Sequence, residues 1–213
     1  MVYTTMCVGE EWNSKYRSNI EHFAKDSKLF VLTDYPETYK NSYTVNYKRK
    51  DFSYFEKVKF IFNIVKSLST RVTYIDANKL TQYNTNIHFE DHALYTGQVL
   101  SIQHLYKYFM TPSTLTDIGL IFDKIGIKNL NIKYPREHVL SIPYINSVEE
   151  ILNDLEIIQP YLESYYNKVP KTQYLKRYSE TGVGYAEGWA IVAISIKYGF
   201  EIKSLDWKKK LLI

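Results

Sequence analysis

Residues 55–78 read FEKVKFIFNIVKSLSTRVTYIDAN. Phe55, Val58, Phe62, Val65 and Leu68 recur every three or four residues, the spacing of one face of an α-helix. Arg71-Val72-Thr73-Tyr74-Ile75 follows, β-branched and aromatic, and stops at Asp76; this is the composition of a strand. Working upstream, Leu29-Phe30-Val31-Leu32 is a compact apolar run ended by the turn-forming Thr33-Asp34-Tyr35-Pro36. Asn13 to Lys25 carries Tyr16, Ile20 and Phe23 at helical spacing, and Val2 to Val8 predicts an opening strand. The order β-α-β-α-β predicts an α/β fold with a mostly parallel sheet covered by helices.

Downstream of residue 78 the signals are sparser. Tyr95 to Phe109 reads as a helix. So does Ser147 to Leu162, with Ser147 and Glu150 in capping-box spacing. Leu130 to Ile145 has room for short strands, and Tyr165 to Gly184 reads as a polar loop. Glu187 to Lys197 is a strongly apolar helix, and Gly199-Phe200-Glu201-Ile202 a closing strand. No repeat, linker or low-complexity segment divides the 213 residues, so one domain is expected over 1–213.

Composition narrows the function classes. Hydrophobic residues make up 45% and charged residues 23%, an ordinary globular balance. No run of eighteen apolar residues predicts a membrane span, and the N-terminus lacks the pattern of a signal peptide. Cys7 is the sole cysteine, so no intrachain disulfide forms and a cytoplasmic location, bacterial or in a virus-infected host, is the expectation. Net charge is +4, with tight basic clusters only at Lys48-Arg49-Lys50 and Lys208-Lys209-Lys210, which is mild for a dedicated nucleic-acid binder. The wealth of Tyr, Lys, Asn and Ile suits an AT-rich genome, such as that of a phage or large virus. The phosphate loop, the dinucleotide-binding glycine fingerprint and the hydrolase nucleophile elbow are all missing from the sequence.

Two constellations carry candidate chemistry. In Tyr74-Ile75-Asp76-Ala77-Asn78 an acidic residue ends a strand, with a second oxygen donor two positions on. Ligands of open α/β sheets bind beyond the carboxyl ends of the strands. Two such oxygens can hold Mg²⁺ or Mn²⁺, whose shell is completed by diphosphate. A capped turn is the plainer alternative. In Thr181-Gly182-Val183-Gly184-Tyr185-Ala186-Glu187-Gly188-Trp189, two glycines allow close backbone approach. Glu187 then opens an apolar helix, where the dipole stabilises a carboxylate; ordinary helix N-terminal charge is the alternative.

These segments resemble the GT-A class of nucleotide-sugar glycosyltransferases. The helix-then-strand phrase Lys57 to Asn78 is similar to the segment leading into the family's Asp-X-Asp signature, with Asn78 in place of the second Asp. Val2-Tyr3-Thr4-Thr5-Met6 looks like the first strand, and Phe30-Val31-Leu32-Thr33-Asp34 like the second. The resemblance implies a Rossmann-like sheet with a donor half over residues 1–80 and an acceptor half over 81–213. It implies donor contacts at Thr4, Thr5, Met6, Asp34, Lys57, Asp76 and Asn78. Asp76 and Asn78 would bind the diphosphate of a nucleotide sugar, a UDP-sugar first, through Mn²⁺ or Mg²⁺. The family's X-Glu-Asp motif is matched by Ala186-Glu187-Gly188, which makes Glu187 the catalytic carboxylate, with Glu180 and Asp91 as fallbacks. Glu187 is the base if the enzyme inverts, and stabilises a positive anomeric centre if it retains. The family often carries a late metal-binding His. None follows His138; Asp206 and Lys203 are the polar residues in that region. The implied acceptor is a hydroxyl of a glycan, or of hydroxymethylated phage DNA.

Two rival readings remain. One is a non-catalytic nucleotide or nucleic-acid binding module on the same fold, favoured by Asn78 and Gly188. The other is a metal hydrolase built on His88, Asp91 and His92. Phe89 stands where the zinc-protease pattern needs Glu, and an exposed loop is the simpler expectation there. Trp189 reads as core or as an acceptor platform, and Cys7 as a small buried residue.

Overall fold

The structure, a computed structural model, describes residues 1–49, 51, 53–101, 112–130, 132–168 and 184–208. The chain opens with β1 (Val2–Met6), α1 (Glu10–Ala24), β2 (Lys28–Thr33) and β3 (Tyr43–Asn46). Next come α2 (Phe55–Leu68), β4 (Val72–Ile75), β5 (Leu94–Leu100) and α3 (Pro112–Asp123). It closes with β6 (Tyr134–Ile142), α4 (Val148–Lys168), α5 (Gly184–Tyr198) and β7 (Ile202–Ser204). One seven-stranded sheet runs β3-β2-β1-β4-β6-β5-β7. All neighbours pair parallel except at β6, which is antiparallel to both β4 and β5. The expected class, a mostly parallel sheet flanked by helices, is the observed one.

The alternation of side chains along each strand sorts the core onto two faces. Tyr3, Leu29, Val31 and Ile75 meet Ile20 and Ala24 of α1. Val2, Met6, Leu32, Val72 and Tyr74 meet α2, α3, α4 and α5. Helix α5 is apolar all round because it is the innermost helix, packed on α2, α4 and β6. Trp189, 1% exposed, sits edge-on to Tyr134 and Phe122 at 5.1 and 6.2 Å between ring centres, so it is core.

The sequence-based boundaries of β1, α1, β2, α2 and β4 hold within a few residues. Two elements differ. The start of the helix expected from Tyr95 to Phe109 falls in strand β5, Leu94–Leu100. Thr96 and Gly97 disfavour a helix, and a register shift between Thr96 and Gln98 marks a bulge at Gly97, where a missing side chain eases the irregularity. The rest of that expected helix, 102–109, lies outside the described residues. Strand β3 was not anticipated. It is a short edge strand of largely exposed residues, stabilised by stacking of Tyr43 on Phe30 at 4.8 Å. The closing strand starts at Ile202 rather than Gly199, whose φ of 73° places it in the left-handed region just past α5. The helix from Ser147 extends to Lys168, past the expected loop start at Tyr165; 169–183 lie outside the described residues. No helix among the described residues is long and apolar enough to cross a membrane.

Candidate functional site

Parallel β1, β2 and β4 point their carboxyl ends to one edge of the sheet. From β1 the order proceeds to β2 and β3 on one side and to β4 on the other. Helix α1 packs on one face and α2 on the other, which puts the topological switch point, the place where α/β sheets form their ligand crevice, at the ends of β1 and β4. Asp76 and Asn78 follow β4 at that crevice. Asp76 is partly exposed, and its Oδ1 accepts a 2.8 Å hydrogen bond from the Tyr74 hydroxyl. Asn78 Oδ1 is a buried acceptor with no donor among the described residues. A buried unmatched acceptor costs about 1–3 kcal/mol, which a cation or ligand donor would offset.

Beside this edge, α2 and α5 bring together two residues 130 apart in sequence. Lys57 Nζ and Glu187 Oε1 form a 2.5 Å ion pair, with side chains 2% and 5% exposed. The ammonium lies 4.7 Å from the centre of the Tyr74 ring and 5.5 Å from that of Tyr54, within cation–π range. Burial raises the Tyr74 hydroxyl well above the ordinary tyrosine range, and the Asp76 and Glu187 charges add to this. Tyr54 is raised in the same way, by burial first and by Glu187 next. Tyr54, Lys57, Tyr74, Asp76 and Glu187 therefore form one polar cluster inside an apolar helix–sheet interface. Lys57 and Glu187, for which the resemblance implied a nucleotide contact and the catalytic carboxylate, face each other here in a buried pair.

The remaining expected donor residues divide. Thr4 and Thr5 are fully buried within the sheet, so the crevice is reached by the chain beyond them, Val8 and Gly9; Met6 ends the strand and is itself buried. Both threonine Oγ1 atoms have no hydrogen-bond partner among the described residues. Asp34 accepts bonds from the Gly9 N–H at 2.9 and 3.1 Å, bracing the turn from β1 into α1 at the helix N-terminus. Gly9 has a φ of 94°, which only glycine adopts without strain. Asn13, not singled out by sequence reading, is the centre of that turn. Its amide donates to the Cys7 and Gly9 carbonyls, and its Oδ1 accepts from the Thr33 and Tyr39 hydroxyls. An Asn inside an amphipathic helix start was the available signal. Cys7 is 1% exposed, as expected, and burial pushes its thiol up.

Asp91, the fallback carboxylate, lies at the opposite edge. It precedes β5, whose first residues pair with the far end of β6, and the Arg71 guanidinium at the start of β4 binds the carbonyls of Glu90, Asp91 and Ala93. His88, Glu90, Asp91 and His92 are exposed on this loop, which is not helical, so the two histidines do not share a helix face. Lys203 bonds Glu90 at 2.6 Å on that side and is not at the crevice. Asp206 is exposed beside Trp207, whose carbonyl accepts from the Asn84 N–H. Among the described residues no group of three or more His, Cys, Asp or Glu forms a metal cage. Glu180 lies outside the described residues.

No family model and no curated protein matches the chain. Among solved structures it is similar to the crystal structure of the glycosyltransferase GlyE from Streptococcus pneumoniae TIGR4, at 10% identity and a TM-score of 0.44. The match covers 96% of this chain and 45% of that one, so the chain spans less than half the length of that structure.

Proposed function

We propose that the chain is a GT-A glycosyltransferase that binds a nucleotide sugar, a UDP-sugar first, in the crevice at the ends of β1 and β4. The observation that carries this reading is the pairing of Asp76 with Asn78, whose Oδ1 is an unmatched buried acceptor, at the point where the strand order diverges. Two protein oxygens suit a hard divalent ion that draws its other ligands from diphosphate and water. When bound, Mn²⁺ or Mg²⁺ would stabilise charge on the departing nucleoside diphosphate. Asp76 and Asn78 hold and orient that diphosphate, and the Gly9 turn, braced by Asp34 and Asn13, shapes the nucleoside end of the crevice. For the acceptor hydroxyl, of a glycan or of modified DNA, Glu180 of the same stretch is proposed as the carboxylate, since Glu187 is paired with Lys57. Lys57 and Glu187 then shape the site from beneath.

A thermal-shift panel of nucleotide sugars, each with and without Mn²⁺, tests the donor half. Binding raises stability according to ligand concentration over dissociation constant. The reading expects one nucleotide base to stabilise the protein, more so with Mn²⁺, and Asp76→Ala to lose the Mn²⁺-dependent part. A Mn²⁺-independent shift that survives Asp76→Ala supports a non-catalytic binding module instead.

A further inference from the structure

The cluster beneath Asp76 is chemically odd for its location. Lys57 is 2% exposed on the apolar stripe of α2, four and seven residues before buried Ile61 and Ile64. Burying a charge pair where Leu or Phe would pack is often neutral or unfavourable for stability, so stability alone does not account for it. The contacts have a direction. Glu187 Oε1 holds Lys57 Nζ, the ammonium is seated over the Tyr74 ring, and the Tyr74 hydroxyl donates to Asp76 Oδ1. The hydrogen bond restrains the rotation of a partly exposed carboxylate.

We infer that Tyr74 and Lys57 are positioning residues through which Glu187 on α5 sets the orientation of Asp76 at the end of β4. The inference rests on the reading of Asp76 as a metal- and diphosphate-binding residue. Hydrogen-bond partners behind metal ligands typically contribute about 10–100-fold to metal affinity. Tyr74 therefore acts on Asp76 without touching the ligand, and Glu187 acts on it from a different element.

The test is Mn²⁺ affinity, read by electron paramagnetic resonance in the presence of UDP, GDP, CDP or ADP in turn. Wild type, Tyr74→Phe, Glu187→Gln and the double variant are compared, with thermal unfolding followed in parallel. Tyr74→Phe keeps the ring and removes only the hydroxyl. It is expected to weaken Mn²⁺ binding about ten-fold while leaving the unfolding temperature nearly unchanged, a separation that a merely structural role would not produce. Glu187→Gln is expected to weaken binding as well, and the double variant by less than the product of the two single effects. Normal wild-type binding with unaltered binding by Tyr74→Phe, or effects of the two substitutions that simply multiply, overturns the positioning inference alone. No Mn²⁺ uptake by wild type with any of the four nucleotides overturns the functional reading and this inference with it.

Discussion

At Lys57 and Glu187 two opposite charges meet between α2 and α5 among Phe, Ile and Tyr side chains. Removing one partner strands the other in a medium that cannot hydrate it. Lys57→Met or Glu187→Ala is therefore expected to cost about 3–5 kcal/mol in urea unfolding, whereas Lys57→Met combined with Glu187→Leu recovers most of that loss. Equal stability of the single and double variants would contradict the pairing. Asn13→Ala is the second case: it deprives the Thr33 and Tyr39 hydroxyls of their shared acceptor, and a loss of about 1–3 kcal/mol is expected in the same assay. Neither feature was read from the sequence. Lys57 was expected only as a nucleotide contact near the start of α2. Its pairing with Glu187 was out of reach, because 130 residues separate the two and spacing rules reach only along one helix.

The elements beside the crevice are joined by a second charge group. Arg49, in the loop after β3, pairs with Asp51, Glu56 of α2 and Glu163 of α4 at 2.6, 3.3 and 2.8 Å. The sequence presented Arg49 only as part of the tight basic cluster Lys48-Arg49-Lys50. Burial raises the Glu163 carboxyl, but hydrogen bonds from Ser53, Gln159 and Arg49 outweigh it and hold the group below its ordinary value of 4.5. A lowered carboxylate binds its proton less readily folded than unfolded. Its stabilisation is thus complete above the ordinary value and is lost as pH falls through the lower, folded one. Glu163→Gln is expected to be less stable than wild type at pH 7, and to lose less on acidification from pH 5 to pH 3, measured as the urea midpoint. Parallel pH profiles of the two proteins would remove Glu163 from the acid response. Local pattern located α2 and β4 well, since each has a clean period. It misassigned the stretch from Tyr95 to Leu100 because apolar residues around a glycine fit either period, and only pairing with β6 and β7 decides it.

The molecule as a whole presents one sheet with two unlike edges. The edge at the ends of β1 and β4 carries Asp76, Asn78 and the braced Gly9 turn. The other carries the Arg71-bound loop with Asp91 and the two exposed histidines. Topology separated residues that the sequence offered as one pool, because the parallel strands send every strand-end residue to one side and every strand-start residue to the other. The +4 charge gives a test of the acceptor. Binding to hydroxymethylated DNA should weaken steeply with salt, through release of counterions, and a saccharide acceptor should show a flat response. The most direct measurement of the central claim is release of nucleoside diphosphate from a panel of nucleotide sugars, with Mn²⁺ and a mixture of saccharide and modified-DNA acceptors, by wild type and Asp76→Ala. The account predicts turnover of one donor by wild type and a fall of about 100-fold or more in Asp76→Ala. No turnover of any donor, or equal turnover by the two proteins, would contradict it.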